Sequence, residues 1–252
     1  GAKISTKIPV LMNLVSKESR TLANEDHIWG TGPGLHYTWS PDGKWILFNM
    51  SVPGLAPGEV GLVSVSGRDS VVNLTRSGFS DFAPKWVLGG AAMTWRSNRD
   101  GLRNLSEAGG GQSDIYAMYF TQEAWDRSRL TKEELALVKE AEEEAAKAAK
   151  GESKDSSKAA PIRLDIERSI DRKVRLTTPS SSLGDALLSK DGETLYYLAS
   201  FERGHNLWST SLRTGETKMV LALNASGGSM QWDKEQKKIF LLSGGTISTI
   251  DP

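Results

Sequence analysis

The hydrophobic positions of this chain fall into short apolar runs that are separated by tight turns. The apolar segment Tyr37–Trp39 is followed by the sequence Ser-Pro-Asp-Gly at Ser40–Gly43 and then by the apolar run Trp45–Phe48. Proline in such a turn presets φ, aspartate can bond the backbone beyond it, and glycine tolerates a positive φ. The pattern therefore predicts a β-hairpin.

The same block occurs four times. It recurs at residues 83–95, 185–197 and 230–240, where Trp86, Leu188 and Trp232 take the place of Trp39. Successive anchor positions are 47, 102 and 44 residues apart. A four-stranded unit of about 40 to 45 residues has the size of a propeller blade. The sequence thus predicts an all-β fold, a β-propeller of four-stranded antiparallel blades that extends over residues 1–252.

Each unit continues beyond its hairpin with a third strand and a fourth strand that ends in Leu-Thr, as at Leu74-Thr75 and Leu176-Thr177. The last unit offers a third strand at Thr246–Ile250 and no fourth, and Ile8–Val15 has the pattern of a strand without a unit of its own. Either Ile8–Val15 completes the last blade and closes the ring, or the chain forms part of a larger ring. Four blades are the low end of the range for propellers, which favours a partial ring.

The long middle interval contains an insertion, residues 121–165. Thr131 and Glu134 have the spacing of a capping box, and residues 139–150 are almost entirely Glu, Ala and Lys. Such a segment forms a helix with little to bury, so we expect it to project into solvent. The Ser/Lys-rich residues 151–160 should be mobile, either as a solvated linker or as a docking tail.

Several of these motifs together resemble a known family. The turn at Trp39–Lys44, the Ser-Asn-Arg-Asp-Gly segment at residues 97–101 and the Leu-Thr strand ends are similar to the blade repeat of TolB-type propellers. Asp114–Arg127, the Glu/Lys helix and the return strand Arg172–Thr177 resemble the propeller region of bacterial tricorn-like serine peptidases. The resemblance covers residues 30–252.

This resemblance implies a non-catalytic propeller that admits or positions peptide or unfolded protein substrates. Its partners would be the PDZ-like and C-terminal serine-peptidase domains of the same parent chain, and the parent would be a hydrolase that acts in proteolysis. The alternative is a free-standing TolB-like periplasmic protein-binding module.

Direct signs of catalysis are missing from the sequence. There is no Gly-x-Ser-x-Gly nucleophile elbow, no cysteine, no His-x-x-x-His pair and no phosphate-binding glycine-rich motif. The histidines are His27, His36 and His205, and His36 stands at a position that varies among the blocks. We therefore predict no catalytic residue, no metal ligand and no cofactor site in this chain.

A binding site is predicted in the channel. If the strand before each turn is the innermost strand of its blade, the residues at its start face the central channel. These channel-facing candidates are His36, Asp81, Asp185 and Ser229. Asp81 and Asp185 could bind a peptide amine or act as the paired carboxylates of a glycosidase, although an aspartate at a strand entrance more commonly caps a turn. Arg99 and Arg203 lie in equivalent second turns, where a shared structural hydrogen bond explains both.

Tryptophan recurs at repeat positions 39, 86, 95, 208 and 232. Large flat side chains at equivalent positions pack between adjacent blades, so we expect all five in the core. Trp29 and Trp125 lie outside the blocks and are the better candidates for surface contact.

The composition of the chain limits the classes of partner that it is expected to bind. The chain has 31 basic and 31 acidic residues and a formal net charge of zero, which argues against nucleic acid as the main partner. No stretch approaches eighteen consecutive apolar residues, so no membrane span is predicted. The absence of cysteine fits the periplasm and the cytoplasm alike. Because bacterial members of the family that the chain resembles are usually exported, we expect a periplasmic or extracellular location, with the cytoplasm as the alternative.

Overall fold

The strands form four antiparallel sheets that are arranged as the blades of a β-propeller. The computed structural model describes residues 10–23, 36–54, 57–67, 70–103, 111–148 and 161–252. A two-stranded hairpin precedes the four sheets. The all-β propeller predicted from the repeat is therefore confirmed.

In three blades four strands pair in chain order. The hairpin consists of β1 (Val10–Met12) and β2 (Ser19–Thr21). Blade 1 contains β3 (Tyr37–Trp39), β4 (Trp45–Met50), β5 (Glu59–Ser64) and β6 (Val72–Asn73). Blade 2 contains β7 (Asp81–Val87), β8 (Ala92–Ser97), β9 (Asp114–Tyr119) and β10 (Lys173–Arg175). Blade 3 contains β11 (Ser182–Leu188), β12 (Thr194–Ser200), β13 (His205–Ser211) and β14 (Thr217–Ala225).

Blade 4 has three strands in the described chain. They are β15 (Ser229–Trp232), β16 (Ile239–Ser243) and β17 (Thr246–Ile250). The third strand predicted at Thr246–Ile250 is thus confirmed, and its described pairing is with β16 alone. Within Ile8–Val15, one of the two alternatives for completing the ring, the described strand Val10–Met12 pairs with β2 instead.

Apolar layers between successive blades form the core. Leu47 and Leu62 of blade 1 pack with Met93 and Met118 of blade 2. A second layer joins blades 2 and 3, a third joins blades 3 and 4, and a fourth places Ala23, beyond β2, against the other face of blade 1. Strands such as β9 are buried along their whole length because a blade covers each of their faces. This explains why the sequences of these strands are continuous apolar runs rather than an alternation of apolar and polar residues.

The turns of the repeat form as the sequence predicts. In blade 1 the hydroxyl of Ser40 donates to Asp42 at 2.6 Å, the Gly43 amide donates to the Ser40 carbonyl at 2.9 Å, and Gly43 has φ 69°. Ser189–Gly192 repeats all three features in blade 3. In blade 4, where the glycine is missing, Gln236 adopts φ 55° instead.

The Leu-Thr strand ends have a common structural role. The Thr177 hydroxyl donates at 2.7 Å to Asp114, the fully buried first residue of β9. In blade 1 the Thr75 hydroxyl donates to Glu59, the buried first residue of β5. The threonine therefore fastens the fourth strand of a blade to the start of the third.

The described part of the insertion is helical. It contains α1 (Gln122–Arg129) and α2 (Lys132–Ala148), and α3 (Ile166–Ser169) follows it before β10. The capping box at the start of α2 is confirmed, because the Glu134 carboxylate accepts from the Thr131 amide at 2.8 Å and the Thr131 hydroxyl accepts from the Glu134 amide at 3.2 Å. Residues 151–160 lie outside the described residues.

The insertion contacts blade 3 rather than projecting freely along its whole length. Lys139 of α2 forms an ion pair of 2.7 Å with Glu193, and Leu135 is buried. Arg213 of blade 3 donates to the carbonyl oxygens of Arg127, Ser128 and Leu130 at the end of α1. Residues 140–147 are exposed throughout, as the sequence predicts for residues 139–150, whereas Lys139 is partly covered in its ion pair with Glu193. Among the described helices, none has the length and hydropathy that crossing a membrane requires.

Candidate functional site

The first strands of successive blades contact one another, β3 with β7 and β11 with β15, and therefore lie innermost. Two of them carry a β-bulge. The register of β7 against β8 shifts between Phe82 and Lys85, where Ala83 has φ 54°, and that of β11 shifts between Leu183 and Ala186. Bulges bend a strand and redirect its side chains, and they are frequent beside functional sites. The site is built around these two bulges.

Asp185, in the bulge of β11, connects three blades. Its Oδ1 accepts from Lys85 Nζ of blade 2 at 2.6 Å and from the amide of Ala186 at 2.8 Å, and its Oδ2 accepts from the amide of Met230 in blade 4 at 2.7 Å. The side chains of Lys85 and Asp185 are 24% and 18% exposed, so the pair lies at the edge of solvent. Lys85 Nζ also donates to the Ala186 carbonyl at 2.9 Å.

Arg96 of β8 approaches the same bulge from blade 2. Its Nη1 donates to the Gly184 carbonyl, and its guanidinium carbon lies 4.4 Å from the centre of the Phe82 ring. Burial lowers the pKa of Arg96, and the negative charge of Asp185 partly offsets this effect. A guanidinium stays protonated nevertheless, so Arg96 contributes a fixed positive charge.

His36 joins blade 1 to the bulge of β7. Its Nε2 lies 3.0 Å from the carbonyl oxygen of Pro84 and is therefore the protonated nitrogen in this contact. The side-chain carbonyl of Asn49 accepts from the Ala83 amide at 2.9 Å, beside the same bulge. We call His36, Lys85, Arg96 and Asp185 the axial cluster.

Asp81, by contrast, is fully buried at the start of β7. Both of its carboxylate oxygens accept from Arg99, at 3.1 and 2.8 Å, and one accepts from the Ser77 hydroxyl at 2.6 Å. The structural hydrogen bond predicted for both Arg99 and Arg203 is therefore confirmed for Arg99, whereas the Arg203 side chain is exposed and makes no hydrogen bond within the described chain. The fourth candidate, Ser229, is exposed and immediately precedes Met230, whose amide binds Asp185. Asp185 and Ser229 thus lie on the inner strands β11 and β15, and His36 directly precedes β3. Asp81 also lies on an inner strand, at the start of β7, but in a separate buried ion pair.

The axial cluster has one free donor at the edge of solvent. In the described chain Asp185 accepts from Lys85 and from two backbone amides. Lys85 uses two of its three protons, whereas Arg96 Nε, which has no described partner, is buried and does not reach solvent. Such a site is suited to oxygen acceptors such as peptide carbonyls.

The described residues contain no group of three or more His, Asp or Glu side chains that could hold a metal ion. The only described hydrogen bond of the His36 side chain is with a backbone carbonyl rather than with a serine hydroxyl. His27 lies outside the described residues.

Four of the five repeat tryptophans lie between blades, as predicted. Trp86 donates its indole N–H to the Thr38 carbonyl of blade 1 at 3.2 Å, and Trp232 donates to the Leu188 carbonyl of blade 3 at 2.9 Å. Trp95 is buried and Trp208 packs against the layer between blades 2 and 3. The prediction was wrong for Trp39, which is 46% exposed because no described strand covers its side of β3.

Sequence reasoning missed Lys85 and Arg96. Lys85 lies in the block at residues 83–95, next to the anchor Trp86, and Arg96 directly follows that block, but neither matches a motif. The signal that places them in the site is the register shift of the inner strands, which spacing along the chain does not reveal.

Comparison with known proteins supports the fold. No family model and no curated protein matches the sequence. Among solved structures, the chain resembles the tricorn protease with a TM-score of 0.61 at 11% identity, covering 96% of this chain and 23% of that one. It resembles TolB from Acinetobacter baumannii with a TM-score of 0.50 at 16% identity, covering 97% and 48%. It also resembles Kuenenia stuttgartiensis hydrazine synthase with a TM-score of 0.59 at 12% identity, covering 96% and 33%.

These structures share an architecture with the chain while their names describe unlike activities, so the likeness concerns the fold alone. The chain spans less than half the length of each of the three. The chain thus shares its β-propeller fold with TolB and the tricorn protease.

Proposed function

We propose that this chain is the non-catalytic propeller region of a tricorn-like serine peptidase, which admits or positions peptide substrates for a protease domain of the same parent. The observation that carries the proposal is the axial cluster. It presents one free proton of the Lys85 ammonium at the edge of solvent on an innermost strand, where an extended peptide that enters the channel would offer carbonyl oxygens. The motif resemblance and the shared fold with the tricorn protease support the same assignment.

Binding without cleavage is the expected behaviour of the isolated chain. A fluorescein-labelled unstructured peptide of Gly, Ser and Ala with blocked termini should bind saturably and should remain intact by mass spectrometry. Lys85→Met should weaken binding, because it removes a donor of the axial cluster. Lys218→Met, on the exposed outer strand of blade 3, is the matched control and should leave binding unchanged.

A second experiment addresses the parent. The reading frame that encodes this chain should continue into PDZ-like and serine-peptidase regions. A frame without them, together with binding of a folded protein rather than of an unstructured peptide, would favour the free-standing TolB-like module instead.

We also propose that the protein is located in the periplasm or outside the cell. Fractionation of the source cells with an antibody against the chain tests it. Recovery with cytoplasmic markers would select the alternative location.

A further inference from the structure

A second site lies on the outside of the propeller, at the edge of blade 2. A cleft of about 510 Å³ opens between β10, helix α1 and the turn that joins β13 to β14 of blade 3. A neighbouring cavity of about 310 Å³ shares Tyr119, Ser128, Gly192 and Arg213 with it. We call the larger one the basic cleft, and it is lined among others by Trp125, Arg129, Val174, Arg175, Thr178 and Arg213.

The basic cleft has an excess of positive charge. Its lining within the described chain contains three arginines and no aspartate or glutamate. Arg175 is balanced from outside the cleft by Asp114, at 2.7 Å. Arg213 is bonded only to backbone carbonyls in the described chain, and its Nε is buried without a partner. The site therefore favours an anionic occupant.

Arg129 is the most available of these charges. It is exposed, and its guanidinium carbon lies 5.3 Å from the centre of the Trp125 ring. No carboxylate of the described residues lies within ion-pair distance of it. Trp125 in turn packs on Tyr119 at 5.6 Å, so the cleft combines a positive charge with an aromatic wall.

The wall opposite the helix is an open strand edge. In the described chain β10 pairs with β9 alone. The Arg172 carbonyl accepts from the Tyr119 amide at 2.9 Å, and the Leu176 amide donates to the Ile115 carbonyl at 2.7 Å. Because inward and outward residues alternate in an antiparallel pair, the N–H and C=O groups of Lys173 and Arg175 point away from β9 toward the open edge.

These two features together define a ligand. An open edge recognises an extended main chain by strand addition, and arginines recognise carboxylates. A short edge strand with a lysine is also a common protection against unwanted pairing. What distinguishes this edge is the arginine-lined cleft beside it, which a free edge alone would not need.

We propose that the basic cleft binds an extended acidic peptide segment, which adds to blade 2 as a fifth strand beside β10. This inference concerns the outer edge of the propeller and does not depend on the axial cluster. Each of the two proposals can therefore fail without the other.

The test measures fluorescence anisotropy of a labelled ten-residue peptide of alternating Val and Glu, titrated with the full 252-residue chain. We expect saturable binding that weakens with added salt, and binding at least about tenfold weaker for the alternating Val and Lys peptide. Equal binding of the two peptides would overturn the charge assignment.

Strand addition is tested separately. Lys173→Pro and Lys173→Ala both remove the ammonium charge, but only proline removes the outward N–H, and proline is tolerated at the first residue of a strand. We expect Lys173→Pro to lose about tenfold more affinity than Lys173→Ala. A Val/Glu peptide with alternate amides N-methylated on one edge should also fail to bind wild-type protein, and this arm holds even if Lys173→Pro does not fold.

The contribution of the Arg129 side chain is tested with a matched pair of substitutions. Arg129→Gln should weaken binding of the Val/Glu peptide several-fold, whereas Arg168→Gln, exposed on α3, should not. If inorganic phosphate displaces the peptide and neither Lys173→Pro nor N-methylation matters, the cleft is a simple anion site and the proposal is wrong.

Discussion

Nζ of Lys85 and Oδ1 of Asp185 lie 2.6 Å apart, although the two residues are separated by a hundred positions in the sequence. The contact joins the bulges of two neighbouring inner strands and continues into blade 4 through the Met230 amide. One carboxylate therefore holds three blades in register around the axis.

Removal of this carboxylate should destabilise the fold. Asp185→Ala removes the carboxylate partner of Lys85, which keeps only the Ala186 carbonyl, and leaves the Met230 amide without its acceptor. We expect a loss of about 1–2 kcal/mol in the free energy of unfolding by urea titration. Asp251→Ala is the control, because Asp251 is 81% exposed and lies 3.5 Å from Lys238. It should change stability by less than about 0.5 kcal/mol. Equal effects of the two substitutions would contradict the role of Asp185.

The hydrogen bond from Thr177 to Asp114 predicts that two adjacent threonines contribute unequally to the free energy of unfolding. Thr177→Val removes the hydroxyl that binds the buried Asp114 and should cost about 1–3 kcal/mol. Thr178→Val changes an exposed residue and should cost less than about 0.5 kcal/mol. Thermal unfolding followed by circular dichroism measures both. A loss of similar size at Thr178 would show that the hydrogen bond is not the cause.

The indole hydrogen bonds between blades give a second paired prediction. Trp86→Phe keeps an aromatic ring but removes the N–H that binds the Thr38 carbonyl, so we expect a loss of about 1 kcal/mol. Trp39→Phe, at the equivalent but exposed position, should stay within about 0.5 kcal/mol of wild type. Urea titration of both variants is the measurement, and equal losses would be inconsistent with a specific contact at Trp86.

The repeated turns should make stability depend on pH in acid. Burial raises the pKa of Asp42 and of Asp191, but hydrogen bonds from the Ser40 or Ser189 hydroxyl and from backbone amides outweigh it, so both pKa values lie below the ordinary value. A lowered folded-state pKa contributes stability that is present above the unfolded pKa of about 4 and is lost as the pH falls through the folded value.

We therefore expect wild type to exceed the double variant Asp42→Asn, Asp191→Asn in stability at pH 7, with a difference that shrinks as the pH falls below about 4. Urea titrations at pH 7, 5 and 3.5 measure this difference. A difference that stays constant over this range would show that the charged form of these carboxylates is not what stabilises the turns.

Much of the fold could be predicted because the repeat is local. The Ser-Pro-Asp-Gly and Ser-Lys-Asp-Gly turns carry their own geometry, and the Thr131–Glu134 capping box depends on residues three apart. Interactions of this range are visible in the sequence itself. The same holds for the number of strands in each unit.

The candidate site was harder to predict because the bulges break the two-residue alternation of side chains. Counting from the turn places Asp81 and Asp185 alike at strand starts, but the shifts between Phe82 and Lys85 and between Leu183 and Ala186 change which side chains point inward. Asp81 pairs with Arg99 in the interior, and Asp185 pairs with Lys85 at the solvent edge. Only the register of the inner strands against their neighbours distinguishes the environments of Asp81 and Asp185.

Blade 2 receives its outer strand only after the helices of the insertion, since Met118 of β9 pairs with Lys173 of β10. During synthesis the ribosome must therefore deliver the whole insertion before this sheet can be finished, whereas blade 3 closes from nearly contiguous sequence. Distant pairing of this kind slows folding, because the ends of a long segment must meet before any contact rewards them. The nascent chain consequently exposes the unpaired edge of β9 for longer than any other complete blade exposes its own third strand.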